Sequence, residues 1–546
     1  MLNLIDPQGN ATIGFIPRLK KAKARDVTVY YNPSTGKELG REVNTDLSRM
    51  SIMMEDARKA QRIWSELPFK DRKRRVLKIR DYIVDHADEI AQIISDNSGK
   101  TRIDALATEV IPCALSAEWY AKNSEKVLKS EKPASSSILF FNKRNEIFRV
   151  PFGVVGIISP WNYPLSIPFG EVIMGIMAGN AVMLKVSGAT TLVGLEIEKI
   201  IKQGNLPDGL FHLLIGPGND IVDALLDNHI DKMFFTGSTE TGREVMEKAS
   251  RHLTPMSLEL GGKDAMIVLP DADLERAANG AAWAGFQNAG QSCGSVERLY
   301  VHESVYDRFK ALLAVKTRAL RFGPDTDFNV DMGSMTTKEQ WTTVNRQVES
   351  SLKEGAHVIA QSDRGEKSTG SFYPPILLED ISHDMAIMRE ETFGPVIPIV
   401  KFRTIGEAIR MANDSTLGLT ASVWTRNNRL GKEIARQLQA GVVTINDHLY
   451  THGQPETPWG GWKDSGIGFT HSRLGLLEMT RAKLVNWDIL PARRNLWWFP
   501  YDRETYDALR SLMRFVFLRP AGRSILGGIR AVPFIVKKMI TPWKAE

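Results

Sequence analysis

An alternation of short apolar runs with amphipathic stretches, beginning at Gly153, constrains this chain more than any other feature. The run from Gly153 to Pro160, GVVGIISP, is apolar and rich in β-branched residues, as a strand covered on both faces of a parallel sheet must be. Three further strand-like runs follow: Ala181–Lys185, Leu210–Gly216 and Lys232–Ser238. Each precedes a stretch with helical spacing of its apolar residues, at 190–203, 219–227 and 239–250. Parallel neighbours need long, usually helical crossovers, so this period specifies a doubly wound α/β layer. A second alternating set starts at Ala265–Pro270, passes through Glu297–Lys316 and runs to about residue 445. Two α/β domains are expected, in keeping with 546 residues, too many for one core. Upstream, residues 51–130 carry the helical period, and 136–150 read as two strands joined by a polar turn around Asn142–Asn145.

Charge and cysteine usage narrow the function. From Val485 to Glu546 there are eleven Lys and Arg against five Asp and Glu, which accounts for the whole formal charge of +6. The body is therefore neutral, and a nucleic-acid partner is not expected. Cys113 and Cys293 are the two cysteines of the chain. That scarcity argues against a structural disulfide and for a reducing, cytoplasmic compartment. The histidines are scattered without metal-ligand spacing, so no metal is expected. The N-terminus lacks the basic and apolar regions of a secretory signal. No apolar run approaches the roughly 20 residues of a spanning helix.

Four segments carry candidate chemistry. In Phe234–Gly242, FFTGSTETG, a strand ends at Gly237-Ser238 and a helix begins near Thr239. Free N–H groups there attract a pyrophosphate, although a plain glycine-rich turn reads equally well. In Ser257–Met266, Glu259 sits in an apolar context before Gly261 and Gly262. It is either a salt-bridged structural group or a base kept mobile by the glycines. Cys293, in NAGQSCG, follows 34 residues later. A thiol and a carboxylate on adjacent loops suit a reaction in which sulfur attacks and a base then activates water. In SPWNYPLS, Asn162 stands between two aromatics and two prolines. A rigid amide can donate to a developing oxyanion, and a turn residue is the other reading. Cys113, among apolar neighbours on a predicted helix, reads as buried filler.

Taken together, SPWNYP, FTGSTETG, LELGGK, GQSC, EETFGP and PWGGWKDSGIG, in this order, resemble the aldehyde dehydrogenase superfamily in its hydrolytic, NAD(P)-dependent branch. The resemblance spans about residues 27–485. It implies an α/β fold with two doubly wound domains and a small β arm for oligomerisation. Residues 1–135 and 151–256 would bind the dinucleotide, and 257–460 would form the catalytic domain. Residues 136–150 and 461–487 would form the arm of a homodimer or homotetramer, and 488–546 a basic amphipathic extension. It further implies Cys293 as nucleophile, Asn162 and the Cys293 N–H as oxyanion donors, and Glu259 as the base of thioester hydrolysis. Glu391 would grip the nicotinamide ribose, with Phe393 and Trp161 beside the ring. Lys185 would reach the adenosine ribose, and Gly237, Ser238 and Gly242 would face the pyrophosphate. A carboxylate base of this kind is missing from CoA-acylating and reductive members, and an intact Cys–Glu–Asn set argues against a silent scaffold.

Three departures bear on substrate and cofactor. Relatives often carry a Glu after the Lys185 strand, where this chain reads Val186-Ser187-Gly188. Without that carboxylate a 2′-phosphate meets no repulsion, and Lys185 with Ser187 would help to hold it, so NADP is accepted beside NAD. Ser292 and Gly294 are small, and Tyr163 and Trp459 are aromatic, which suggests a roomy tunnel for an apolar medium- or long-chain aldehyde. Beyond the motifs, Leu509, Leu512, Met513, Val516 and Phe517 form one helical apolar face. Arg523, Arg530 and Lys537 recur every seven residues, with Trp497, Trp498 and Trp543 nearby. The extension reads as a segment lying on the cytoplasmic face of an anionic membrane, or else packing on a neighbouring subunit.

Overall fold

The computed structural model describes residues 27–365, 370–518 and 522–542. Its first sheet has six strands in the order Gly466–Ile467, Met256–Glu259, Lys232–Thr236, Val154–Ile158, Ala181–Lys185, Phe211–Leu214. All run parallel except the edge pair Gly466–Ile467. Val154–Ile158 is central and buried along its whole length, which is why its sequence lacks any polar alternation. Helices Ser166–Ala178, Thr191–Lys202, Gly218–Asp227 and Thr239–His252 make the crossovers. The helices Met50–Ser65, Phe69–Asp85, Ala87–Ser98 and Ile111–Val127 pack into the same core as this sheet.

The second sheet has seven strands, ordered His357–Gln361, Ile376–Glu379, Val396–Phe402, Val296–His302, Asp264–Val268, Thr420–Trp424, Val442–Ile445. Only His357–Gln361 is antiparallel to its neighbour. A separate apolar core lies under it. The molecule is thus the α/β fold expected, with two parallel-sheet layers: the first ends its strand Met256–Glu259 at Glu259, and Cys293 lies just ahead of Val296–His302 at the amino end of the second.

Residues 136–150 differ from the expected hairpin. Ile138–Phe140 is a single 3₁₀ turn, and the strand Lys143–Pro151 pairs antiparallel with Thr480–Asp488 in unbroken register from Lys143↔Asp488 to Pro151↔Thr480. The partner lies more than 300 residues away, so local turn chemistry carried no information about it. Within 461–487 only this last strand joins the ribbon. Trp462–Lys463 pairs with Leu417–Gly418, and Gly466–Ile467 closes the first sheet.

Past the ribbon, helices Arg503–Phe517 and Gly522–Ile540 pack on one another around Leu496, Ala508 and Ala531. Asp502 caps the first helix, its Oδ1 accepting from Thr505 N at 2.6 Å. The buried Lys538 donates to Thr505 Oγ1 at 2.7 Å and to Pro500 O at 3.1 Å. Of the expected apolar face, Leu512 packs against this small core, whereas Leu509, Met513 and Phe517 are exposed. Arg530 and Lys537 are exposed as well. Trp543 and the Arg523 side chain lie outside the described residues.

Candidate active site

Three loops converge because buried ion pairs and close backbone contacts leave them no alternative. The loop after Val154–Ile158 carries Trp161 and Asn162, and Lys100 and Glu109 pin it. Both side chains are fully buried, with Nζ to Oε1 at 2.5 Å. Lys100 Nζ also donates to Asn162 O at 2.9 Å, and Glu109 Oε2 accepts from Leu165 N and Ser166 N at 2.7 and 3.1 Å. Two prolines then stiffen what the pair already holds. A buried pair with its remaining sites satisfied by backbone is geometrically demanding, which is what a positioned amide needs.

The Cys293 loop is tied to the same place. Asn288 Nδ2 donates to Asn162 O at 2.9 Å, and Asn288 N donates to Asp104 Oδ2 at 3.0 Å. Asn288 and Ala289 hold φ of 52° and 53°, a left-handed conformation costing about 1–3 kcal/mol each where it is enforced. Gln291 helps to enforce it, its Nε2 donating to Asn288 O at 2.9 Å. Next, Gly290 has φ +69°, and a Cβ there would come 2.2 Å from Gly394 O. Only glycine fits.

The third loop carries Glu259. Gly261 and Gly262 serve close approach here: a Cβ on Gly262 would lie 2.3 Å from Cys293 O, and one on Gly261 2.6 Å from Glu391 Oε2. Glu259 is buried, and neither carboxylate oxygen has a partner among the described residues. The salt-bridged reading of this side chain is thereby set aside. Glu391 Oε1 accepts from Gly262 N at 2.9 Å. Its own loop is fixed by the buried pair Lys263–Glu297, 2.7 Å apart, with Thr392 N and Phe393 N donating to Glu297 at 2.8 Å each.

These loops enclose three connected spaces, and Cys293 lines every one. The first, about 230 Å³, is bounded by Trp161, Asn162, Gly237, Ser238, Glu259, Cys293, Glu391 and Phe393. Trp161 and Phe393 meet edge to face at 5.5 Å. The second, also about 230 Å³, is bounded by Tyr163, Trp283, Gln287, Ser292, Tyr450 and Trp459 among others. Its lining contains no Lys or Arg. The third is a small chamber of about 20 Å³ between Glu171, Thr236, Glu259 and His471. Lys185, Ser187 and Gly242 lie outside these linings. Lys185 stands at the end of the neighbouring strand with Nζ 3.4 Å from where a Gly218 Cβ would be, Ser187 caps the turn Gly188–Thr190, and Gly242 packs under Leu260. Sequence reasoning missed Gln340 and Thr343 in the first space, and Glu171, His452 and His471 in the third. None belongs to a local motif.

Electrostatically the centre is a buried cluster of acidic groups that favours their neutral forms. Burial, then Asp264, Glu391 and Glu259, pushes the Cys293 thiol well up. Burial, then Glu171, raises the Glu259 carboxyl. Glu391 is pushed up to about 8, chiefly by burial. The first space fits a nicotinamide dinucleotide. It opens at the carboxyl ends of parallel strands, beside the start of helix Thr239–His252, where Ser238 Oγ accepts from Thr241 N at 3.3 Å. A carboxylate at Glu391 suits ribose hydroxyls, and the missing acidic group after Lys185 leaves room for an added phosphate.

The family model described as the aldehyde dehydrogenase family matches residues 20–485. A 4,4'-diapolycopene aldehyde oxidase of Methylomonas sp is 37% identical over 488 residues, covering 89% of this chain and 90% of the relative. A putative succinate-semialdehyde dehydrogenase [NADP(+)] of Mycolicibacterium smegmatis is 36% identical, covering 83% of this chain and 87% of the relative. Among solved structures, the NAD+ complex of an aldehyde dehydrogenase from Bacillus cereus superposes with a TM-score of 0.81 at 32% identity, covering 85% of this chain and 94% of that one.

Proposed function

The chain belongs to the aldehyde dehydrogenase family, and on that premise we propose that it oxidises an apolar, medium- or long-chain aldehyde to the carboxylic acid through a thioester on Cys293. The observation that carries this reading is the position of Cys293 at the junction of all three spaces, with an unpartnered carboxyl at Glu259 beside it. The sulfur bonds to the aldehyde carbon, and the oxygen gains charge beside the Asn162 amide and the Cys293 N–H. Preorganised donors of this kind are worth about 3–4 kcal/mol apiece. NAD(P)+ supplies one thing here, a two-electron hydride acceptor. Trp161, Glu391 and Phe393 would hold it, with Gly237 and Ser238 at its phosphates and Lys185 and Ser187 towards the adenosine ribose. Loss of hydride from the thiohemiacetal carbon leaves a thioester, which water attacks as Glu259 takes its proton.

Chemistry of the second space supports an apolar aldehyde. Tyr163, Trp283, Tyr450 and Trp459 line it, and no cation is there to meet a second carboxylate. The relative named for 4,4'-diapolycopene aldehyde carries a polyene in that name, and the mycobacterial relative is named for a short, charged aldehyde. The experiment that separates these is a chain-length series from butanal to dodecanal run beside succinate semialdehyde, with NAD+ and with NADP+. The reading requires kcat/KM to rise with apolar length and turnover with both cofactors. A preference for succinate semialdehyde would overturn it.

Oligomerisation through the ribbon is supported by its exposed Phe148, Val150, Leu484 and Trp487, apolar side chains that a free strand pair would keep in water. For the tail, the occupant we propose is the anionic cytoplasmic face of a membrane. The two helices and the segment 139–143 border an apolar groove of about 560 Å³, and Phe517, Ile529 and Ile540 are each more than 60% exposed. Arg510, Arg514, Arg530 and Lys537 are exposed on the same two helices. Among the described residues no helix is long and apolar enough to cross a membrane, so the tail would lie in the headgroup plane.

A further inference from the structure

The smallest of the three spaces poses a problem that thioester chemistry alone leaves unsolved. Two carboxyl groups, Glu171 from helix Ser166–Ala178 and Glu259 from strand Met256–Glu259, line it together. Both side chains are buried, and Glu171 Oε2, both Glu259 oxygens and Thr236 Oγ1 are without a hydrogen-bond partner among the described residues. Among the described residues that line the chamber there is no Lys or Arg. The titratable groups around Glu171 are Glu259 on its strand, Tyr120 on helix Ile111–Val127, His452, His471 and Cys293. His452 is held down to about 4 by burial, and His471 is lowered by burial and then by His452, so both rings are neutral. Two uncompensated carboxylates cannot both ionise in such a place. The chamber is about 20 Å³, above the roughly 10–15 Å³ that one water needs, and its walls are polar enough to hold one.

We propose that Glu171 is a positioning residue for the hydrolytic half-reaction, sharing one proton with Glu259 across this water-sized chamber and the Thr236 hydroxyl. The proposal rests on the thioester reading above. At rest the pair's one proton sits on Glu171 and Glu259 is ionised; an O–H bond of the attacking water breaks as its oxygen bonds to the thioester carbon, and the proton passes to Glu259. The C–S bond then breaks, the acid departs with the second water proton, and the sulfur recovers the first proton from the carboxyl pair. Atoms and electrons balance without a further reactant. By keeping the pair's own proton Glu171 leaves Glu259 ionised at the start of each hydrolysis, and the shared proton sets the pH at which Glu259 is free to act.

Glu171→Gln keeps the shape and removes the proton that the pair shares. In the full-length enzyme the variant should release a burst of one NAD(P)H per site at the wild-type rate. Its steady-state turnover should fall at least about tenfold, within the range of general-base effects. The acid limb of its pH–rate profile should move about one unit higher, because the Glu259 carboxylate loses the shared proton that stabilises it. Thr236→Val should lower turnover without moving the limb. Unchanged turnover and an unmoved limb in Glu171→Gln would overturn the proposal. So would loss of the burst together with turnover in a variant whose circular dichroism is native, which would assign Glu171 to the scaffold. Failure of the wild-type enzyme to form a thioester, read by trapping with hydroxylamine, would instead remove the reading on which it rests.

Discussion

A thiol that burial and three carboxyl groups hold protonated is a poor nucleophile until something lowers its pKa or the pH rises. The sign is clear: the thiolate exists above the raised pKa, so alkylation of Cys293 by iodoacetamide in the cofactor-free enzyme should be slow at pH 7 and accelerate steadily towards pH 10. A rate that is fast and flat across that range would contradict the environment described. Cys113, buried on its helix with its thiol also raised by burial, should stay unmodified in the native protein. Glu259 acts later and in the same direction. Its base form appears only above a raised pKa, so turnover limited by hydrolysis should climb as the pH rises. Glu259→Gln should keep the NAD(P)H burst and lose about 10²- to 10⁴-fold in steady-state rate, measured by stopped-flow against steady-state absorbance. Cys293→Ala should bind cofactor, seen by fluorescence quenching, and show no burst. These residues could be singled out in the sequence because each sits in a short motif, and the roles proposed for them come from the joint resemblance of those motifs to the family. Glu171, His452 and His471 could not be, since they acquire meaning only by meeting across the chamber.

At the scale of elements, precision comes from pairs the motifs do not contain. Lys100 and Glu109, bonded to each other, hold the Asn162 loop through three hydrogen bonds, and neither lines the spaces around Cys293. Removing one partner strands a buried charge, a loss of about 3–5 kcal/mol. Lys100→Met should therefore lower the melting temperature markedly and depress kcat through a loosened Asn162. The double variant Lys100→Met, Glu109→Leu should recover much of the stability, because apolar groups fill the volume without an unpaired charge, yet it should leave kcat low. Equal recovery of both would show that the pair serves stability alone. The parallel strands were readable because burial on two faces writes an unbroken apolar run. The ribbon was readable only through the family resemblance, which joins 136–150 to 461–487: the burial pattern of Lys143–Pro151 mixes half-buried and exposed positions, compatible with any partner, and its partner Thr480–Asp488 lies far along the chain.

For the whole molecule, the question is why a neutral body carries a separately cored, basic helical pair. The tail joins the ribbon through Ile489 N and Leu490 N, which donate to Asn142 O and Oδ1 at 2.9 and 2.7 Å. After Leu490 its contacts are largely with itself and with segment 139–143, so truncation there leaves the ribbon and both α/β layers intact. The truncated enzyme should oxidise a short soluble aldehyde at the full rate. If the tail lies on a membrane, the full-length chain should sediment with vesicles containing anionic lipid, lose that binding as salt rises, and lose it entirely on truncation. Each basic side chain near such a surface contributes about 1 kcal/mol, so replacing Arg510, Arg514, Arg530 and Lys537 with Gln should weaken binding by several hundredfold while leaving the apolar groove in place. If the tail instead packs on a neighbouring subunit, vesicle binding will be absent and truncation will change the oligomer seen by light scattering. The two outcomes also predict different substrates: a membrane-bound enzyme gains most on aldehydes that partition into lipid, so its advantage over the truncated form should widen with chain length and vanish in detergent.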